Sequence, residues 1–175
     1  MSFSSEFLPN IIKRFKAYKE LAVKTFEQLE DKDFFYQPSL ESNSIAIIIQ
    51  HMYGNAMSRW TNFLIEDGEK EWRKRDAEFE VMDVSRNDLL SFWNTGWSLV
   101  FQTLGSLEEE DLDKTIYIRG EPHKAFDAIL RQLAHYSYHA GQIVYLGKLI
   151  RNQEWKSLSI PRGASNQFND KMKTR

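Results

Sequence analysis

The chain has 175 residues, 42% of them hydrophobic and 14% aromatic, enough for one domain with a substantial core. Its formal net charge of -2 comes from scattered, interleaved acids and bases, as in "EDGEKEWRKRDAEFE" from Glu66, so no stripe built for a nucleic-acid backbone is present. It contains no cysteine, which excludes disulfides, cysteine-ligated zinc and a cysteine nucleophile.

Apolar residues recurring at three and four, from Leu8 through Phe15 and Ala22 to Leu29, predict a first helix over about Glu6 to Glu30. "DKDFFYQPSLESN" follows as a loop. A second helix is expected from Ser44 to about Glu66. Its "IAIIIQ" opening is rich in β-branched residues, but Ile45, Ile48, Ile49, Met52, Ala56 and Trp60 keep a helical period. The weakly periodic stretch from Asp67 to Val84 reads as a long connection. Ser85 and Asp88 form a capping pair ahead of the stripe Leu89, Trp93, Trp97, Val100 and Leu104, which predicts a third helix. "SLEEEDLDK" reads as a short helical turn capped by Ser106, "TIYIRGEPH" as an extended piece and turn, and a fourth helix runs from near Lys124 to about Arg151. Trp155 and Pro161 lead into a polar tail from about residue 164. The pattern predicts a single all-α domain over residues 1–175, a four-helix bundle. No apolar run reaches the roughly 20 residues of a membrane span, and the N-terminus turns charged too early for a signal peptide, so a cytoplasmic protein is expected.

The chemistry rests on four histidines. In "QLAHYSYHAGQ", His135 and His139 stand four apart, about 40° around a helix axis, and can aim at one point. A helical wheel centres Phe126, Ile129, Leu130, Leu133, Ala140 and Val144 nearly opposite them, and this reads as the core face. The histidine side, with Arg131, Gln142, Ala128, Ile143 and Leu146, is mixed enough to be either a solvated stripe or the wall of an open cleft. His123 lies twelve positions before His135, about 18 Å along a continuous helix, too far to share an ion with it unless the turn before the helix folds back. His51, on the second helix, can reach across the 8 to 10 Å between packed helices. The expected constellation is therefore His51, His135 and His139. Glu-x-x-His pairs of di-iron bundles are missing, and so is the glutamate that follows the first histidine in zinc proteases.

A histidine in the second helix followed by a pair four apart in the fourth resembles the DinB/YfiT-like metalloenzyme superfamily. The blocks "QHMYGNAMSRWTNFL", "DGEKEWRKRDAEFE", "IRGEPHKAFDAILRQLAHYSYHAGQIVYLGKL" and "WKSLSIPRG" resemble a bacterial branch of it catalogued as domain of unknown function 1572. The resemblance implies a bundle with a long crossover between helices 2 and 3, and a divalent ion, zinc or nickel, held at His51, His135 and His139. Relatives in the superfamily include transferases and isomerases that use low-molecular-weight thiols such as bacillithiol. A metal-dependent S-transferase is thus one expectation, with a metal-dependent hydrolase or a non-catalytic metal protein as alternatives. Three imidazoles leave coordination positions open, the layout of a catalytic site. Tyr53, Tyr117, Arg119, His123 and Tyr138 are candidates for a substrate rim, the expected substrate being a small molecule. Neither nucleic acid nor membrane is expected as a partner, and a homodimer is.

Overall fold

The computed structural model describes residues 3–80 and 83–174. Among the described residues, five α-helices and one two-stranded antiparallel sheet make up the regular structure: α1 (Phe3–Phe26), α2 (Ile45–Trp60), α3 (Arg86–Ser106), the hairpin β1 (Thr115–Ile118) and β2 (Glu121–Lys124), α4 (Ala125–Arg151) and a short α5 (Ser165–Lys173). Short 3-10 turns at Asp31–Phe35, Asp76–Phe79 and Glu109–Asp113 punctuate the connections. The described residues hold no helix long and apolar enough to cross a membrane.

The helix starts follow local chemistry. Ser44 caps α2, its hydroxyl accepting from Ile47 N at 3.2 Å. At α3 the expected pair closes reciprocally: Asp88 N donates to Ser85 Oγ at 3.2 Å and Ser85 N to Asp88 Oδ2 at 2.9 Å. The β-branched opening of α2 is helical because Ile45, Ile47, Ile48 and Ile49 are all buried, and packing outweighs their modest propensity cost.

Three boundaries differ from the sequence reading. α1 ends at Phe26 rather than Glu30. α2 stops at Trp60, six residues short of Glu66, because Thr61 is extended and Asn62 takes a left-handed φ of 51°, which turns the chain back on itself. Ser106 does not cap the next turn. It is the last residue of α3, and Glu108 does the capping with Asp111.

α2 packs on α3 and α4, and α1 on α4 and α3. Where α3 meets α2, Gly96 faces Ala56, and a Cβ there would stand 3.4 Å from Ala56 Cβ. At the centre, Phe15, Trp60, Trp97 and Tyr136 meet edge to face, with Phe15 to Tyr136 at 5.8 Å and Trp97 to Tyr136 at 5.3 Å between ring centroids. Trp60 Nε1 donates to Tyr136 Oη at 3.1 Å, so both buried polar atoms are satisfied inside the apolar cluster.

The connection between α2 and α3 is tied down rather than loose. Ser58 Oγ donates to Gly68 O at 2.7 Å and accepts from Lys70 N at 3.2 Å. The hairpin turn is pinned to the same segment. Arg119 and Gly120 both have positive φ (57° and 75°), and the Asp67 carboxylate accepts from their amides at 2.8 and 2.7 Å. Register pairs Ile116 with His123 and Ile118 with Glu121, and the two isoleucines point into the core.

The face of α4 is the largest departure from expectation. Of the residues read as core, Ile129 and Ala140 are buried and Leu133 packs against the core, but Phe126 and Leu130 are 37% and 41% exposed, and Ala125, Ala128, Gln132, Tyr136, His139 and Ile143 are buried as well. The buried face is thus turned toward the histidine side, since α4 lies between α1 and α2 and the histidines sit on the seam with α2.

Candidate metal centre

α2 contributes His51 and α4 contributes His135 and His139. Their Nε2 atoms converge: His135 Nε2 lies 3.1 Å from His51 Nε2 and 3.0 Å from His139 Nε2. A potential ligand atom of each lies within 4.8 Å of the other two. Nitrogens about 2.0–2.1 Å from one tetrahedral ion stand about 3.3 Å apart, so the pocket already has nearly the required dimensions.

The outer nitrogens fix the tautomers. His51 Nδ1 is 2.9 Å from Glu78 Oε2 and His139 Nδ1 is 2.7 Å from Gln142 Oε1. Both partners present oxygen acceptors, so each ring carries its proton on Nδ1 and turns the Nε2 lone pair inward. His135 Nδ1 is buried without a protein partner. Burial, reinforced by the neighbouring imidazoles, lowers His135 to a pKa of about 3, and burial lowers His139 to about 4. At neutral pH these rings are uncharged, the state in which imidazole ligates.

Glu78 is itself held. Arg73 Nε donates to its Oε1 at 2.7 Å and Arg73 Nη2 to its Oε2 at 2.9 Å. Burial alone would raise the Glu78 carboxyl, but its bonds to Arg73 and His51 keep it below the ordinary glutamate range. Glycine at 54 makes room for it: a Cβ there would meet Glu78 Cδ at 2.6 Å and Cγ at 3.1 Å. The Phe79 ring covers His51 at 4.7 Å between centroids. The connection between α2 and α3 therefore forms one wall of the site. Sequence reading took this stretch as a charged linker and missed Glu78 and Arg73; it placed Gln142 on the histidine side of α4 without its role of orienting His139.

A cleft of about 170 Å³ opens beside His51 and His135, with Arg59, Arg73, Arg75, Arg119 and Arg131 in its walls. Of the rim candidates, Arg119 lines this cleft. Tyr53 instead stacks on Phe92 at 5.0 Å, Tyr117 is half exposed on β1, and Tyr138 lies against the His139 ring at 5.0 Å on the side away from the arginines, where it borders a separate groove. His123 sits on β2, 3.5 Å from Asp127 and outside the histidine cluster.

The model of the family described as "Protein of unknown function (DUF1572)" matches residues 2–164. The chain belongs to that family. No curated protein matches it. The DUF1572 match spans α1 to α4 and therefore includes all three histidines and both residues that fix their tautomers.

Proposed function

We propose that this DUF1572 protein is a divalent-metal-dependent enzyme whose ion, zinc or nickel, is held by Nε2 of His51, His135 and His139. The convergence of three imidazoles, two of them with Nδ1 on an oxygen acceptor and Nε2 turned inward, carries this reading. We read α1 to α4 as a four-helix bundle of the DinB-like type, with the tied-down connection between α2 and α3 as its crossover. A bound divalent ion supplies a Lewis acid that lowers the pKa of water or a thiol and so provides a nucleophile at neutral pH. Glu78 and Gln142 orient two of the ligands, and Arg73 keeps Glu78 ionised. The cleft beside His135 admits the second reactant.

The carboxylates beside the cleft, Glu69 and Glu78, are both engaged by arginines, and Glu78 also by His51, so neither is free to act as a general base. That favours transfer of a small thiol, bacillithiol-like in character, onto an electrophilic acceptor over hydrolysis by activated water. The chain has no cysteine of its own, so the thiol arrives as substrate. We also take the working unit to be a homodimer, which light scattering at micromolar concentration tests.

The decisive experiment starts from protein purified without a nickel column. Elemental analysis is expected to give one divalent ion per chain, lost on alanine replacement of His51, His135 or His139 and retained in His123→Ala. Zinc-loaded wild type is then compared with His135→Ala in conjugation of several thiols to an electrophile. Ion content unaffected by the three replacements would refute the metal site. Wild-type rates no faster than the uncatalysed reaction for every thiol would refute the transferase and leave a hydrolase or a non-catalytic metal protein.

A further inference from the structure

Two rows at helical spacing supply most of the helical wall of the cleft and, at His139, continue past it into the triad. On α2, His51, Asn55 and Arg59 stand four apart, and on α4, Arg131, His135 and His139 do the same. Each row joins a histidine of the triad to an arginine on one helix face. Gln132 on α4 and Arg73, Arg75 and Arg119 from the connection and the hairpin complete the enclosure.

The cations outnumber the anions that could neutralise them. Glu69 is shared by Arg59 at 2.9 Å, Arg119 at 3.2 Å and Arg73 at 3.5 Å, and Glu78 is taken by Arg73 and His51. Arg75 has only Asp76, fully solvated and 3.8 Å away. Arg131 has no carboxylate partner among the described residues. Five guanidinium groups thus meet Glu69 and Glu78, both firmly engaged, and Asp67, whose carboxylate is taken up by the Arg119 and Gly120 amides, in a cleft whose protein walls focus the field. Structural arginines are ordinarily matched by acids; a surplus converging on a concave site is the arrangement that binds carboxylate or phosphate.

A second, independent observation shows that the cleft is made for a polar occupant. Asn55 and Gln132 line it, are 5% and 4% exposed, and their Oδ1 and Oε1 atoms are buried without a hydrogen-bond partner. Both open atoms are acceptors, so they call for an N–H or O–H of the occupant and leave its oxyanion to the arginines.

We infer that this cleft recognises a substrate bearing a small oxyanion group, carboxylate or phosphate, seated among Arg131, Arg119 and Arg75 beside the histidine triad. Arg59 and Arg73 are committed to Glu69 and Glu78 and stiffen the wall. Four residues of helix rise about 6 Å, so the oxyanion sits about one turn from the atom that meets the triad. The inference rests on the metal-enzyme reading only for the identity of the reacting end; the anion site itself is made of this chain's own side chains.

Calorimetric titration with inorganic phosphate and, separately, with succinate tests it, using full-length protein in low salt, metal-free and zinc-loaded, with succinamide as the uncharged control. Saturable binding of at least one anion and none of succinamide is expected; which anion binds assigns the group as phosphate or carboxylate. Arg131 is exposed on α4, so Arg131→Gln leaves the fold and the ion content intact and weakens the anion about tenfold or more. Arg162→Gln, outside the cleft, leaves affinity unchanged. The inference is overturned if neither anion saturates wild type, if succinamide binds as well, or if Arg131→Gln binds as tightly as wild type. Anion binding that needs the ion and ignores Arg131 also overturns it, because the anion would then be a ligand of the ion alone. Failure of the metal reading shows separately, as protein without ion that still binds the anion.

Discussion

Replacing Gly54 by alanine sets helix propensity against the metal site. In an unencumbered helix interior, glycine to alanine is worth about 1 kcal/mol of added stability. Here the new methyl would fall 2.6 Å from Glu78 Cδ and 3.1 Å from its Cγ, so the carboxylate must leave its place. His51 Nδ1 then loses its acceptor at 2.9 Å, and Arg73, whose side chain is 2% exposed, keeps only the 3.5 Å contact to Glu69. Breaking a buried ion pair of this kind costs about 3–5 kcal/mol, and partial rearrangement toward Glu69 places the result at the lower end. The loss outweighs the propensity gain, and the metal-free variant is expected to be about 2 kcal/mol less stable than wild type in urea unfolding. Loss of an orienting partner also typically lowers metal affinity about 10–100-fold. Competition titration against a chromophoric chelator measures that directly, and Glu78→Gln, which keeps an amide oxygen for His51, should fall between the two proteins. A Gly54→Ala variant that gains about 1 kcal/mol and binds zinc like wild type would refute the role given to Glu78.

Other perturbations report on the core and on the ligands. Tyr136→Phe removes the acceptor of Trp60 Nε1 inside a fully buried cluster, and should cost about 1–3 kcal/mol by urea unfolding with little change in ion content; an unchanged midpoint would mean the indole finds another partner. Below its ordinary pKa of 6.5 a histidine charges in the unfolded chain, while folded His135 and His139 resist protonation down to about 3 and 4. The stability of metal-free protein should therefore be level above about pH 6.5 and fall by up to about 1.4 kcal/mol per pH unit for each of the two as pH drops toward 5. Equal urea midpoints at pH 7.5 and pH 5 would contradict that.

The elements that read clearly from sequence are those decided by local chemistry. The Ser85 and Asp88 pair marks the start of α3, and its stripe from Leu89 to Leu104 is buried as expected. The histidine constellation was legible as well, because i, i+4 spacing and the reach between packed helices are geometric facts that need no tertiary detail. The face of α4 was not. A wheel weights residues by hydrophobicity and finds Ile129 and Ala140, but the seam also takes in Ala125, Ala128, Gln132, Tyr136 and His139, which carry little apolar weight on it. The residues that orient the ligands escaped for another reason. Glu78 lies 27 positions from His51, in a segment whose charges pair with one another and with α2, and nothing in composition separates such a segment from a solvated linker.

The two rows at four-residue spacing also limit how the gene can change. Inserting or deleting one residue between His51 and Arg59, or between Arg131 and His139, turns everything beyond it by about 100° and carries at least one member of the row out of the cleft. Substitution within these eight-residue intervals leaves the rows in phase, whereas a change of length does not. The exposed stretch 36–41 carries no such phase. Insertions and deletions across descendants of this sequence are therefore expected to accumulate there, and these two intervals of α2 and α4 to keep their length even where their residues drift.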